Sequence, residues 1–127
     1  MKFSIIVEAR LGSKRLPRKI LYKIKKHVFL EYLINRLKLS SKAKEIIVAT
    51  TNLKSDYEIV RIAKKNKVKY YRGSEDNVLQ RLFDAGKKFN CDGIVRITSD
   101  CPIIDVSLID QAIETFKQNK CDYLSNA

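Results

Sequence analysis

Five cations crowd ten residues near the start of the chain. Arg10, Lys14, Arg15, Arg18 and Lys19 stand there, with Gly12, Ser13 and Pro17 between them. An apolar run, Phe3 to Val7, leads into this stretch, and Ile20-Leu21 leads out of it. A strand followed by a cationic loop is suited to hold a polyanion at the carboxyl end of a sheet, where open α/β folds bind ligands. Two further polar stretches follow apolar runs, Arg72-Gly73-Ser74-Glu75-Asp76 and Thr98-Ser99-Asp100. Arg takes phosphate oxygens two at a time. Mg²⁺ prefers one or two carboxylates together with phosphates and water. Cations beside a strand-end carboxylate therefore suit a nucleoside triphosphate with Mg²⁺, and Asp100 is the natural anchor for the ion. The plain alternative is a solvated basic loop. The order of residues favours the first reading, because charge flanks a turn placed directly after a buried strand.

These residues need elements to position them. Lys2 to Val7 reads as a strand, and Ile24 to His27 as a turn or irregular strand. A helix is predicted over Val28 to Leu39, with Leu30, Leu33, Ile34 and Leu37 on one face. Glu45 to Thr50 is a second strand, apolar enough to be covered on both faces. Ser55 and Glu58 form a capping-box pattern opening a helix to about Lys67, with Ile59, Val60 and Ala63 inward. Val68 to Tyr71 is a short third strand, with Tyr70 and Tyr71 read as sheet packing. The next helix, Asn77 to Phe89, should bury Val78, Leu79, Leu82, Phe83 and Phe89, with Glu75 and Asp76 as candidate caps. Strand four lies within Asp92 to Thr98. Asp105 or Ser107 caps a helix to about Gln118, with Leu108, Ile109, Ala112, Ile113 and Phe116 inward. Cys121 to Leu124 begins a fifth strand. The alternation of strand and helix predicts an α/β fold, a mainly parallel sheet with helices on both faces. Parallel strands would bring the three polar loops to one edge. Glu8, at the end of strand one, is expected to support Arg10. A last strand without a covering helix suggests that 1–127 is the N-terminal part of a longer single domain.

Composition bounds the rest. The chain has 127 residues, enough for one domain or most of one, and 45% of them are hydrophobic. The net charge is +12 and the pI about 9.7, a balance that would fit a nucleic-acid binder. Yet Lys is scattered over nearly every predicted helix, and no nucleic-acid motif or aromatic-interleaved basic stripe appears. No specific nucleic acid is expected. Cys91, Cys101 and Cys121 lack a CxxC pair, so neither a disulfide framework nor a zinc site is indicated. No apolar run approaches the ~20 residues of a membrane span, and no signal peptide is expected, since the first residues read as a strand. A cytoplasmic, reduced setting is expected. There is no G-x-x-x-x-G-K-[ST] and no G-x-G-x-x-G after strand one. Cys101 beside Asp100 has no nearby His to activate it as a nucleophile.

The motifs then become specific. Ala9-Arg10-Leu11-Gly12-Ser13-Lys14-Arg15-Leu16-Pro17-Arg18-Lys19 resembles the A-R-x-x-S-x-R-x-P-x-K signature of sugar cytidylyltransferases. Val48 to Thr51, Arg72 to Arg81, Val95 to Asp105 and the terminal Asp122 to Asn126 resemble, in order, segments of the spore-coat polysaccharide biosynthesis protein F group and its acylneuraminate cytidylyltransferase relatives. The resemblance implies a Rossmann-like nucleotide-diphospho-sugar transferase fold. It also implies transfer of CMP from CTP to a nonulosonate-like or related sugar, with release of pyrophosphate, for surface polysaccharide or glycan synthesis. CTP, a sugar and Mg²⁺ are the implied partners. By the same resemblance Arg10, Lys19 and Asp100 carry the catalysis, with Asp100 holding the metal. Arg10, Arg15 and Lys19 would contact the triphosphate, and the backbone near Ala9, Leu11, Gly12, Ser13 and Lys14 would cradle it. Thr51, Arg72, Gly73, Ser74 and Thr98 would lie about the nucleoside. Several related synthetases place Gln at the position of Thr98, which leaves base recognition here open. Arg18 stands where the family often has Gly. Relatives continue beyond this length, carrying a further metal carboxylate, much of the sugar pocket and commonly a homodimer contact. The alternative function is a noncatalytic nucleotide- or nucleic-acid-binding basic α/β module.

Overall fold

The structure is a computed structural model, and it describes residues 1–12, 23–24, 27–99 and 104–119. Four parallel strands form the central sheet: β1 (Phe3–Glu8), β4 (Glu45–Thr51), β5 (Lys69–Gly73) and β6 (Gly93–Thr98), in the order β5-β4-β1-β6. Two short antiparallel strands, β2 (Lys23–Ile24) and β3 (His27–Val28), precede the first helix. The helices are α1 (Phe29–Leu37), α2 (Tyr57–Lys65), α3 (Val78–Lys88) and α4 (Val106–Gln118).

Period-two alternation sends the residues of β1 and β4 to opposite faces. Ile5, Val7, Ile46 and Val48 pack with Leu30, Leu33, Ile34 and Leu37 of α1, Ile59 and Ala63 of α2, and Ile109 and Ile113 of α4. Ile6, Ile47 and Ala49 pack on the other face with Leu82 and Ala85 of α3. Both central strands are thus covered twice, which is why they read as unbroken apolar runs. Phe3 meets Phe116 edge to face, with ring centroids 5.7 Å apart. The expected helices on both faces of a parallel sheet are present. Three lie on one face and one on the other.

Several local expectations are corrected. Ser55 and Glu58 make no capping box. A 3₁₀ turn, Lys54–Asp56, precedes α2 instead, and Glu58 pairs with Arg61 at 3.5 Å. Glu75 and Asp76 do not cap α3. The Asn77 side chain accepts from the Gln80 amide at 2.9 Å, and Asn77 holds the extended backbone of an N-cap. Leu79 and Phe83 are exposed at 74% and 61%, and Leu108 at 48%. The α3 stripe that reaches the sheet runs through Leu82, Ala85 and Gly86. Gly86 lies so close to Ile94 of β6 that a Cβ there would meet its Cδ1 at 2.6 Å. Asp105 does cap α4, accepting from the Ser107 amide at 3.0 Å. Tyr70 and Tyr71 pack on the two cores as expected. The fifth strand expected at Cys121 to Leu124 lies outside the described residues.

Candidate active site at the carboxyl edge of the sheet

The chain visits β1, then β4 and β5 to one side, then β6 on the other. The strand order therefore reverses between β1 and β6, the switch point at which open parallel sheets bind ligands. Glu8 and Thr98 end these two strands as register partners. Their side chains share a face with Arg96. The Arg96 guanidinium donates to both Glu8 oxygens, Nε to Oε2 at 3.0 Å and Nη2 to Oε1 at 2.9 Å. Glu8 is therefore held by Arg96 across the switch point, and the expected support of Arg10 is corrected. The reason is register: Arg96 stands two residues before Thr98 on the adjacent strand, pointing to the same side.

Beyond Glu8 the chain keeps alternating. The Ala9 amide donates to the Ala49 carbonyl at 3.1 Å, and Ala9 and Leu11 are buried. Arg10 and Gly12 face outward. The cationic loop thus starts from a backbone anchored on both sides, with its first cation presented to solvent. No described atom lies within 4 Å of the position a Gly12 Cβ would take, and the residue has an ordinary negative φ. Leu11 serves as an anchor, since its amide donates to the Asp56 carboxylate at 2.9 Å. Ser13, Lys14, Arg15 and Lys19 lie outside the described residues, as does Asp100.

The ends of β4 and β5 are bound to each other. Arg72 donates through Nε to the Thr51 carbonyl at 2.8 Å and through Nη2 to the Leu53 carbonyl at 2.6 Å, and its guanidinium lies over the Tyr57 ring. The Thr51 hydroxyl donates to Asp56 and accepts from the Leu53 amide. Gly73 is buried against the Tyr71 ring and Arg81, leaving no room for a Cβ. The Ser74 hydroxyl accepts from the Asn77 amide at 3.0 Å and fixes the turn into α3. A groove of about 470 Å³ beside Arg72 is lined also by Lys54, Ser55, Tyr57 and Glu58.

Arg81, Asp56 and Arg36 escaped the sequence reading. Arg81 is 2% exposed, and its Nη1 donates to the Ser74 carbonyl at 3.1 Å, while Nε has no acceptor among the described residues. Burial lowers the pKa of this guanidinium, Glu8 opposes that shift and the nearby Arg10 adds to it. Arg81 closes the quoted segment that begins at Arg72, which was the available signal. Asp56 is 1% exposed, and nothing in its sequence context marked it. Arg36 of α1 donates twice to the Ile104 carbonyl, at 3.0 and 2.8 Å, holding the first described residue after the stretch that contains Asp100. Of the predicted residues, the fold brings Ala9, Arg10, Leu11, Gly12, Thr51, Arg72, Gly73, Ser74 and Thr98 to one edge of one sheet.

Comparison with known proteins bears on this edge. Residues 4–127 match the model of the cytidylyltransferase family. An uncharacterised protein of Methanocaldococcus jannaschii is 46% identical over 125 residues, covering 98% of this chain and 51% of that protein. The spore coat polysaccharide biosynthesis protein SpsF of Bacillus subtilis is 30% identical, over 93% of this chain and 51% of its own length. A 3-deoxy-manno-octulosonate cytidylyltransferase of Fusobacterium nucleatum is 32% identical, over 94% and 48%. The solved structure of a cytidylyltransferase from Leptospira borgpetersenii superposes with a TM-score of 0.90 at 41% identity, covering 94% of this chain and 50% of that one. The chain spans about half the length of the curated relatives it matches.

Proposed function

Because the chain belongs to the cytidylyltransferase family, we propose that its carboxyl edge binds CTP and serves transfer of CMP to a sugar with release of pyrophosphate. The observation that carries this reading is the strand order. It gathers the start of the cationic loop, the β4 and β5 ends and the end of β6 around one switch point. SpsF and the octulosonate enzyme point the same way by their names.

In this reading Arg10, Arg15 and Lys19 grip the triphosphate, with the backbone from Gly12 to Lys14 around it. The nucleoside lies against Thr51, Arg72, Gly73, Ser74 and Thr98. A sugar oxygen attacks the α-phosphorus in line, and the bond to pyrophosphate breaks. The protein's work is positioning and charge stabilisation. Arg96 keeps Glu8 from opposing the incoming phosphates, since its guanidinium occupies both carboxylate oxygens. The oxygen-rich run from Thr98 through Ser99 to Asp100 suits a hard cation, with Asp100 holding Mg²⁺. Such an ion supplies charge neutralisation at phosphate oxygens.

Calorimetric titration with CTP, ATP and a duplex oligonucleotide, with and without Mg²⁺, tests the proposal. Mg²⁺-dependent preference for CTP is the expected result. Equal affinity for all three, falling steeply with salt, would replace it with general polyanion binding. Selective CTP binding without pyrophosphate release in the presence of candidate sugars would mark a noncatalytic nucleotide module.

A further inference from the structure

We propose that Asp56 is a positioning residue, tying the cationic loop to the β4 and β5 ends and so setting the grip on the triphosphate; this rests on the nucleotide reading above. Asp56 closes the 3₁₀ turn before α2 and is buried to 1% exposure. Among the described residues no Lys or Arg contacts it directly, although the buried Arg81 guanidinium is near enough to feel its charge. A carboxylate taken out of water without a counter-ion is costly unless donors satisfy it. Here the donors come from two different strand ends. The Leu11 amide reaches Oδ1 at 2.9 Å, 45 residues away in sequence, and the Thr51 hydroxyl reaches Oδ2.

The network continues outward from Thr51. Its hydroxyl accepts the Leu53 amide at 3.1 Å, its carbonyl accepts Arg72 Nε at 2.8 Å, and the Leu53 carbonyl accepts both Arg72 Nη2 and the Asp56 amide. One carboxylate therefore links the strand ends proposed to hold the triphosphate and the nucleoside. Leu11 lies between Arg10 and Gly12, so fixing its amide fixes the direction in which the loop departs. A loop freed at Leu11 would have to be ordered by the ligand, at an entropic cost that lowers affinity. The effect should fall on phosphates gripped by the loop. CTP should therefore suffer more than CMP.

The test uses Asp56→Ala, Asp56→Asn, Thr51→Val and Thr51→Ser in the full-length protein. Amide exchange at Leu11 reads the anchor without any ligand, and Mg²⁺-CTP and CMP titrations read the grip. Asp56→Ala should speed Leu11 exchange and weaken CTP by roughly tenfold or more, the scale of a hydrogen bond to a charged group, with CMP affinity nearly unchanged. Asp56→Asn keeps an acceptor for Leu11 and should recover part of the loss, as Thr51→Ser should relative to Thr51→Val. If Asp56→Ala does not fold, Asp56→Asn decides by the same readings, and the Thr51 pair, which also faces the nucleoside, decides by Leu11 exchange alone. Unchanged Leu11 exchange in folded variants would overturn the proposal, as would equal losses for CTP and CMP in the Asp56 variants. A wild-type protein that takes up no CTP would overturn the nucleotide reading instead, with Leu11 exchange still judging the anchor.

Discussion

Lys19 and Asp100 stand at the centre of the proposed chemistry, and each offers a direct test. Removal of one preorganised electrostatic contact costs roughly 10²–10³ in rate. Lys19→Ala and Asp100→Ala are each expected to lower turnover by that order while leaving the melting temperature close to wild type. Near-normal rates in both would remove the assignment. Gly73 offers a stability test at the same edge. A Cβ there would sit 2.8 Å from the Tyr71 ring and 3.2 Å from Cγ of Arg81 on α3. Gly73→Ala should destabilise the fold by about 1–3 kcal/mol, the usual cost of overpacking, read from a denaturant melt. The motif around Arg72 marked the glycine. Its reason, contact with an arginine eight residues further on, appears only when α3 folds back over the strand.

At the scale of elements, caps and clamps decide where the loops start. The Asp105 carboxylate holds both the amide and the hydroxyl of Ser107, at 3.0 and 2.6 Å, and these bonds lower its pKa. Asp105→Ala should cost about 1 kcal/mol through fraying at the start of α4, visible as faster amide exchange in its first turn. Asp105→Asn should restore most of it. A second clamp joins α4 to the loop after α1. Asp110 accepts from the Ser40 hydroxyl at 2.6 Å and from the Ser41 and Lys42 amides at 3.2 Å. The Asp105 cap was legible because a cap is a local pattern. The Asp110 clamp spans 70 residues of sequence, and no local pattern could reveal it. The misread box at Ser55 has a similar cause. Asp56, satisfied by Leu11 and Thr51, ends a 3₁₀ turn there, and tertiary donors outweighed a local motif.

Among the described residues the lysines are spread over the molecule rather than gathered. Lys64, Lys69, Lys88 and Lys117 lie over aromatic rings on different sides of the sheet, their stems covering apolar surface. At the amino end of the sheet Glu45 collects Lys2 at 2.8 Å, Lys69, and the Ser4 hydroxyl at 3.1 Å. Burial alone would raise its pKa, but these donors outweigh burial and hold it below the ordinary 4.5. A folded pKa below the unfolded one means that the stabilisation is complete above 4.5 and is lost as pH falls through the folded value. Asp110 is lowered likewise, burial again opposed by its hydrogen bonds. Denaturant midpoints should therefore drop as pH is taken below 4.5, and Glu45→Gln should flatten that drop.

The sequence by itself determined the alternation of elements, the two apolar central strands and the family, because periodicity and contiguous motifs are written in neighbouring residues. It also named Arg10, Thr51, Arg72 and Thr98 as members of one edge, since parallel strands all end on the same side. Tertiary structure decided what those residues do with their hydrogen-bonding groups. Register across β1 and β6 gave Glu8 to Arg96. The approach of the turn before α2 to the β1 end gave the Leu11 amide to Asp56. The packing of Leu82 and Ala85 of α3 on the sheet left Leu79 and Phe83 outward, on a helix whose apolar residues alone would have buried them. Each outcome depends on distances between residues far apart in the chain, and those distances exist only once the sheet has assembled.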